Sequence, residues 1–119
     1  MAKILAVDDN LLILDLYKEI FAKAGFEIHT AEDANGAMLK FQEVKPDLIV
    51  LDVDMPAGGG KKVFDRLRNI FLTATPVIFS TGSPESVAGL AKNFNVIILK
   101  KPVNPEMLMT AVKKLLKIP

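Results

Sequence analysis

Four short apolar runs, each cut off by polar or charged residues, constrain this chain more than any other feature. Ile4-Leu5-Ala6-Val7 stops at Asp8-Asp9, Leu48-Ile49-Val50-Leu51 at Asp52, Val77-Ile78-Phe79 at Ser80-Thr81, and Val96-Ile97-Ile98-Leu99 at Lys100-Lys101. A strand with one wet face alternates apolar and polar side chains. An unbroken run instead fits a strand covered on both faces, as in a parallel sheet between two layers of helices. In open α/β sheets, ligands bind just beyond the carboxyl ends of the strands. The polar stops therefore belong to one rim, where carboxylates, hydroxyls and ammonium groups meet.

Helical periodicity fills the gaps. Leu11 to Ala24 repeats Leu12, Leu16, Ile20 and Ala24, and Gly25 suits the position after a helix C-terminus. Glu27 to Ala31 alternates, as a short second strand. Ala34 to Val44 carries Ala37, Leu39, Phe41 and Val44 before Pro46 forbids continuation. Met55 to Gly60 reads as a flexible loop leading into a helix with Val63, Phe64, Leu67 and Ile70. Ser83-Pro84 and Asn104-Pro105 each set a capping side chain before a proline at the first helical position. Val87 to Asn95, interrupted by Gly89, reads as a weak helix. The last helix has the stripe Leu108, Ala111, Val112, Leu115 and Leu116. The order βαβαβαβαβα predicts one α/β domain over residues 1–119, with no linker, repeat or output domain. Leu48 to Leu51, the most apolar run, is the expected central strand.

Lys and Arg (15) nearly balance Asp and Glu (14). Such a chain offers no bulk attraction to nucleic acid or to an anionic membrane. The absence of cysteine excludes disulfides and thiolate metal sites. No secretion-type segment opens the sequence, and no run approaches the roughly 18 apolar residues of a membrane helix. The expectation is a cytoplasmic protein with no direct nucleic-acid or membrane partner.

If Asp8, Asp9 and Asp52 lie within about 5 Å of one another, each like-charge pair costs roughly 3 kcal/mol at an effective dielectric near 20. One lysine offsets part of this, and a divalent ion resolves it. Carboxylate oxygens without His or Cys favour a hard ion, magnesium above all. Alternatively, Asp8-Asp9 caps the first helix. A carboxylate beside magnesium can attack phosphorus to form an acyl phosphate, with further donors for the phosphoryl oxygens. Thr81, rather than Ser80, and Lys101, rather than Lys100, are the expected donors, because neighbouring strand residues face opposite ways.

These motifs resemble a response-regulator receiver domain across essentially the whole chain: Asp8-Asp9 after the first strand, Asp52 with Met55-Pro56 beyond it, Thr81 after the fourth strand, and Lys101-Pro102 after the fifth. The resemblance implies a doubly wound, flavodoxin-like sheet of five parallel strands in order 2-1-3-4-5, with helices on both faces. It implies phosphorylation of Asp52 by a histidine kinase, and a magnesium ion held by Asp8, Asp9, Asp52 and the Asp54 carbonyl. Thr81 and Lys101 would contact the phosphoryl group. The expected role is a phosphoacceptor switch acting on a downstream partner or output domain, catalysing only its own phosphorylation and dephosphorylation.

Family members usually carry an aromatic residue two or three positions before the Lys-Pro lysine. Here that stretch is Ile97-Ile98-Leu99, which leaves the switch to Thr81 and the following loop. Asp54 adds a fourth carboxylate, and its removal is expected to change the lifetime of the phosphorylated form. His29 reads as a strand or surface residue and Met107 and Met109 as packing. Lys113, Lys114 and Lys117 suit a helix C-terminus. Two alternatives stand beside the switch. One is a haloacid-dehalogenase-type phosphatase, suggested by Asp52-Val53-Asp54 but with its motif order inverted and no room for a cap. The other is a degenerate receiver that binds partners without phosphorylation.

Overall fold

The alternating pattern folds into β1 (Lys3–Val7), α1 (Leu11–Lys23), β2 (Glu27–Ala31), α2 (Ala34–Val44), β3 (Leu48–Asp52), α3 (Gly59–Asn69), β4 (Val77–Thr81), a 3₁₀ segment (Pro84–Lys92), β5 (Val96–Lys100) and α4 (Pro105–Leu116). The structure, a computed structural model, describes residues 1–55, 59–93 and 95–119. Pro56, Ala57 and Gly58 of the expected glycine loop lie outside the described residues, as does Phe94.

All strand pairs are parallel, in the order β2-β1-β3-β4-β5, so β3 is central. Every residue of β3 and β4 is buried, whereas the edge strands β2 and β5 are mostly half-buried. The unbroken apolar runs thus mark covered strands in β3 and β4, whereas the run on β5 lies at the sheet edge with Ile97 and Ile98 half-buried. Alternation divides the core. Leu5, Val7, Ile49, Leu51, Val77 and Phe79 face α2 and α3. Ile4, Ala6, Leu48, Val50, Ile78 and Leu99 face α1 and α4. Each fully buried Val, Leu, Ile or Phe among them contributes about 1.5–3 kcal/mol.

The helices rotate away from several expectations. On α1 the buried residues are Leu14, Tyr17 and Phe21, while Leu12 and Leu16 are exposed. Steps of four residues drift by ~40° each on a helix of 3.6 residues per turn, whereas 14, 17 and 21 combine steps of three and four and stay on one side. Leu39, Ile70 and Met107 also face solvent. The core stripe of α4 is as expected, with Leu108, Ala111 and Val112 buried and Met109 packed beside them.

Helix ends follow local chemistry. Gly25 takes a positive φ of 87° just past α1, the conformation that glycine adopts without steric cost. The Asn104 side chain accepts from the N–H groups of Glu106 and Met107. Ser83 precedes Pro84 as expected but makes no side-chain cap. The weak helix is a 3₁₀ segment that starts earlier, at Pro84. Its inward residues Val87 and Leu90 are three apart, matching three residues per turn. Gly59 and Gly60 belong to the packed start of α3, not to an open loop. A Cβ on Gly60 would sit 2.7 Å from the Asp52 carbonyl oxygen, and one on Gly59 would collide with that of Val53. Only glycine lets this helix approach the end of β3 so closely.

Candidate functional site: an acidic rim with one ammonium

Each rim residue inherits its side of the sheet from strand alternation. Asp52 continues the row of Leu48 and Val50, and Ser80 continues that of Ile78, on the α1/α4 side. Thr81 continues the row of Val77 and Phe79, on the α2/α3 side. The register pairs Asp52 with Ser80 and Thr81 with Lys100.

On the first side, Asp8 and Asp52 are almost fully buried and Asp9 is exposed. One carboxylate oxygen from each of the three lies within 4.8 Å of the others. Lys101 donates to Asp52 Oδ1 at 2.9 Å and to Asp8 Oδ2 at 3.2 Å. Lys100 is exposed, and Lys101 reaches inward because its backbone N–H is fixed to the Thr81 carbonyl at 2.8 Å. The Lys101–Pro102 peptide is cis.

The first helix does not use the acidic pair as its cap. Asn10 takes that role, accepting from Leu12 N–H at 2.9 Å. Asp8 Oδ1 instead accepts from Asn10 N–H at 2.9 Å. The Asp8 carboxylate is therefore pinned between the start of α1 and the lysine.

Three carboxylates cluster around one ammonium that bonds only two of them, Asp8 and Asp52. Burial pushes the Asp8 pKa up; the Asn10 hydrogen bond opposes this, the Asp52 charge adds to it, and Lys101 offsets part. For Lys101, burial works against the charged form. The hydrogen bond to Asp52 and the two carboxylate charges outweigh it and hold the pKa above the ordinary lysine value. An all-oxygen set with excess negative charge is the donor chemistry of a hard divalent cation. Asp8, Asp9 and Asp52 therefore fit magnesium.

Across the sheet, Thr81 Oγ1 does not reach Asp52. It donates to the Asp54 carboxylate, 3.4 Å from Oδ1 and 3.3 Å from Oδ2, and accepts from Ser83 N–H at 3.0 Å. Gly82 N–H also donates to Asp54 Oδ2, at 3.2 Å. Asp54 is tied back to the first side through its own N–H, which donates to Asp52 Oδ1 at 3.0 Å.

Tyr17 is the neighbour that sequence reasoning passed over. It is buried beneath the rim, and burial pushes its phenol pKa up, partly offset by the Ser80 side chain. With Ile13, Leu16, Lys101, Pro102 and Val103 it lines a cavity of about 340 Å³ beside the lysine stem. Its three- and four-residue spacing from Leu14 and Phe21 was the available signal. His29 sits on the edge strand β2, paired with Glu27 at 2.7 Å and outside any cluster of metal-ligating groups among the described residues.

Comparison with known proteins places the chain in a family. Residues 4–113 match the sequence profile of the response regulator receiver domain. The chain is 35% identical over 118 residues to the alkaline phosphatase synthesis transcriptional regulatory protein PhoP of Bacillus subtilis, covering 97% of this chain and 48% of that protein. It is 30% identical over 122 residues to the chemotaxis protein CheY of Thermotoga maritima, covering 97% and 98% respectively. The structure of chemotaxis response regulator CheY4 of Vibrio cholerae superposes with a TM-score of 0.84 at 34% identity, over 97% of this chain and 98% of that one. The chain thus spans about half the length of the transcriptional regulator and nearly all of the two chemotaxis proteins. Among the described residues no helix is long and apolar enough to cross a membrane.

Proposed function

Because this chain belongs to the response regulator receiver domain family, we propose that Asp52 accepts a phosphoryl group from the phosphohistidine of a histidine kinase, and that the altered rim changes binding to a protein partner or output domain. The observation that carries this reading is the Lys101 ammonium on Asp52 Oδ1, beside two further carboxylates. Asp52 is a buried rim carboxylate held by a fixed donor at the carboxyl end of the central strand.

In the proposed step a carboxylate oxygen of Asp52 forms a bond to phosphorus as the P–N bond breaks. The imidazole nitrogen leaves with the electron pair and takes up a proton. Lys101, already within hydrogen-bond reach of Asp52, donates to a phosphoryl oxygen. Thr81 is the second donor once it turns from Asp54. A magnesium ion held by Asp8, Asp9, Asp52 and the Asp54 carbonyl would supply charge neutralisation at the phosphoryl oxygens. The net charge near zero offers no bulk attraction to nucleic acid or to an anionic membrane, which supports a protein partner.

Incubation with magnesium and a small phosphoramidate, followed by intact-mass measurement, tests the assignment. The expected result is one added phosphoryl mass that Asp52→Asn eliminates. Rapid turnover of many phosphate esters would point to a phosphatase instead, and no labelling to a phosphorylation-independent binding module.

A further inference from the structure

The geometry points to Asp54 as a positioning residue that latches the switch hydroxyl: its carboxylate holds Thr81 Oγ1 and Gly82 N–H in the unphosphorylated chain and must release them before Thr81 can serve a phosphoryl group on Asp52. The inference rests on the phosphoacceptor reading and adds a competitor to it.

Thr81 Oγ1 has one proton to give, and that proton is shared between the two Asp54 oxygens at 3.3 and 3.4 Å. The same oxygen accepts from Ser83 N–H at 3.0 Å. Thr81 is fully buried, so water cannot replace either partner while the backbone stays in place. Donation to Asp54 and donation to a phosphoryl oxygen are mutually exclusive. An ionised carboxylate is a strong acceptor, but these distances are long and Asp54 is exposed, which makes the bond weak enough to break.

Two features connect the latch to the acceptor. Asp54 N–H donates to Asp52 Oδ1, so Asp54 stands on the carboxylate that would be modified. Phosphorylation removes the charge of that carboxylate and brings a phosphoryl dianion towards the Asp54 side chain, which it repels. The same event offers Thr81 a more highly charged acceptor. Space also exists for the movement, since a Cβ on Gly82 would meet nothing within 4 Å. With Ile98 in place of an aromatic ring on β5, this contact offers an opposing interaction on the switch side of the rim.

The test is a double-mutant cycle read by binding of beryllofluoride with magnesium, a stable mimic of the phosphoryl group. Asp54→Ala should tighten binding about three- to tenfold, and Asp54→Asn, which keeps the acceptor but loses the charge, by less. Both gains should vanish in a Thr81→Ala background. In the same proteins without beryllofluoride, Asp54→Ala should shift the amide resonances of Gly82 and Ser83 and speed their hydrogen exchange. A gain that persists in Thr81→Ala would reduce Asp54 to a repelling charge and overturn the latch, as would unchanged binding by folded Asp54→Ala. Failure of the wild-type chain to bind the mimic would overturn the phosphoacceptor reading and the latch together.

Discussion

On the α1/α4 side of the rim, Lys101 donates at 2.9 and 3.2 Å to two carboxylates that are almost wholly buried. Across the sheet, Thr81 donates at 3.3–3.4 Å to a carboxylate that solvent reaches. Removing the cation from the first arrangement leaves two buried carboxylates facing each other and carries a stability cost. The second can open at little cost to the fold. One β-pleat separates them, because Ser80 and Thr81 point to opposite faces. The ends of neighbouring strands thus place a rigid chemical half beside a compliant half suited to switching.

The largest effect should come from Lys101→Met. Removing the ammonium leaves Asp8 and Asp52 buried without their cation, and breaking a buried pair costs about 3 kcal/mol. Lys101 is 23% exposed at its side chain, which lowers the expectation to about 2 kcal/mol. Urea unfolding with divalent ions chelated measures it, and a neutral result would erase the contrast between the halves.

Asp8→Asn should act in the opposite direction, stabilising the chain by on the order of 1 kcal/mol at neutral pH. The Asp8 pKa is raised on folding, so its ionisation opposes the fold. The wild type is therefore penalised as pH rises from the unfolded carboxylate value, near 3.8, through the higher folded value. Below that window the two proteins should unfold alike, and above it the Asp8→Asn variant should keep a constant advantage. A thermal-melt series across pH checks the sign, and an advantage confined to acid would reverse the assignment.

Asp54→Ala probes the compliant half and should change unfolding free energy by less than about 1 kcal/mol in the absence of a phosphoryl mimic. A loss as large as that for Lys101→Met would make the two halves equally rigid. Tyr17→Phe should be smallest in structural consequence, removing only the phenol hydroxyl while the buried ring stays packed, at a cost of about 0.5 kcal/mol or less. Magnesium affinity measured in the same variant sharpens the comparison. It should stay within about twofold of wild type if Tyr17 supports the rim from below without touching the acids.

Much of this architecture was legible because burial writes itself into strands plainly. Four unbroken apolar runs gave the parallel sheet, and their polar stops gave the rim and its acids. Helix faces were harder to read. On α1, Leu12, Leu16 and Ile20 form as regular an apolar series as Leu14, Tyr17 and Phe21, and only the docked helix chooses between them. The glycines at 59 and 60 looked like flexibility and are instead points where α3 presses on the β3 backbone. For Asp54, no local pattern could reveal that its partner is a hydroxyl 27 residues further along the chain.

Sequence alone determined which residues end the apolar runs, because side chains sandwiched between helix layers must be apolar and polar groups are confined to strand ends where partners can satisfy them, and it thereby determined the chemistry of the rim. Tertiary structure decided which of those groups share a proton or a charge. That depends on pleat parity, on parallel register and on how two helices dock, and each is set by packing across the sheet rather than by the identity of neighbouring residues.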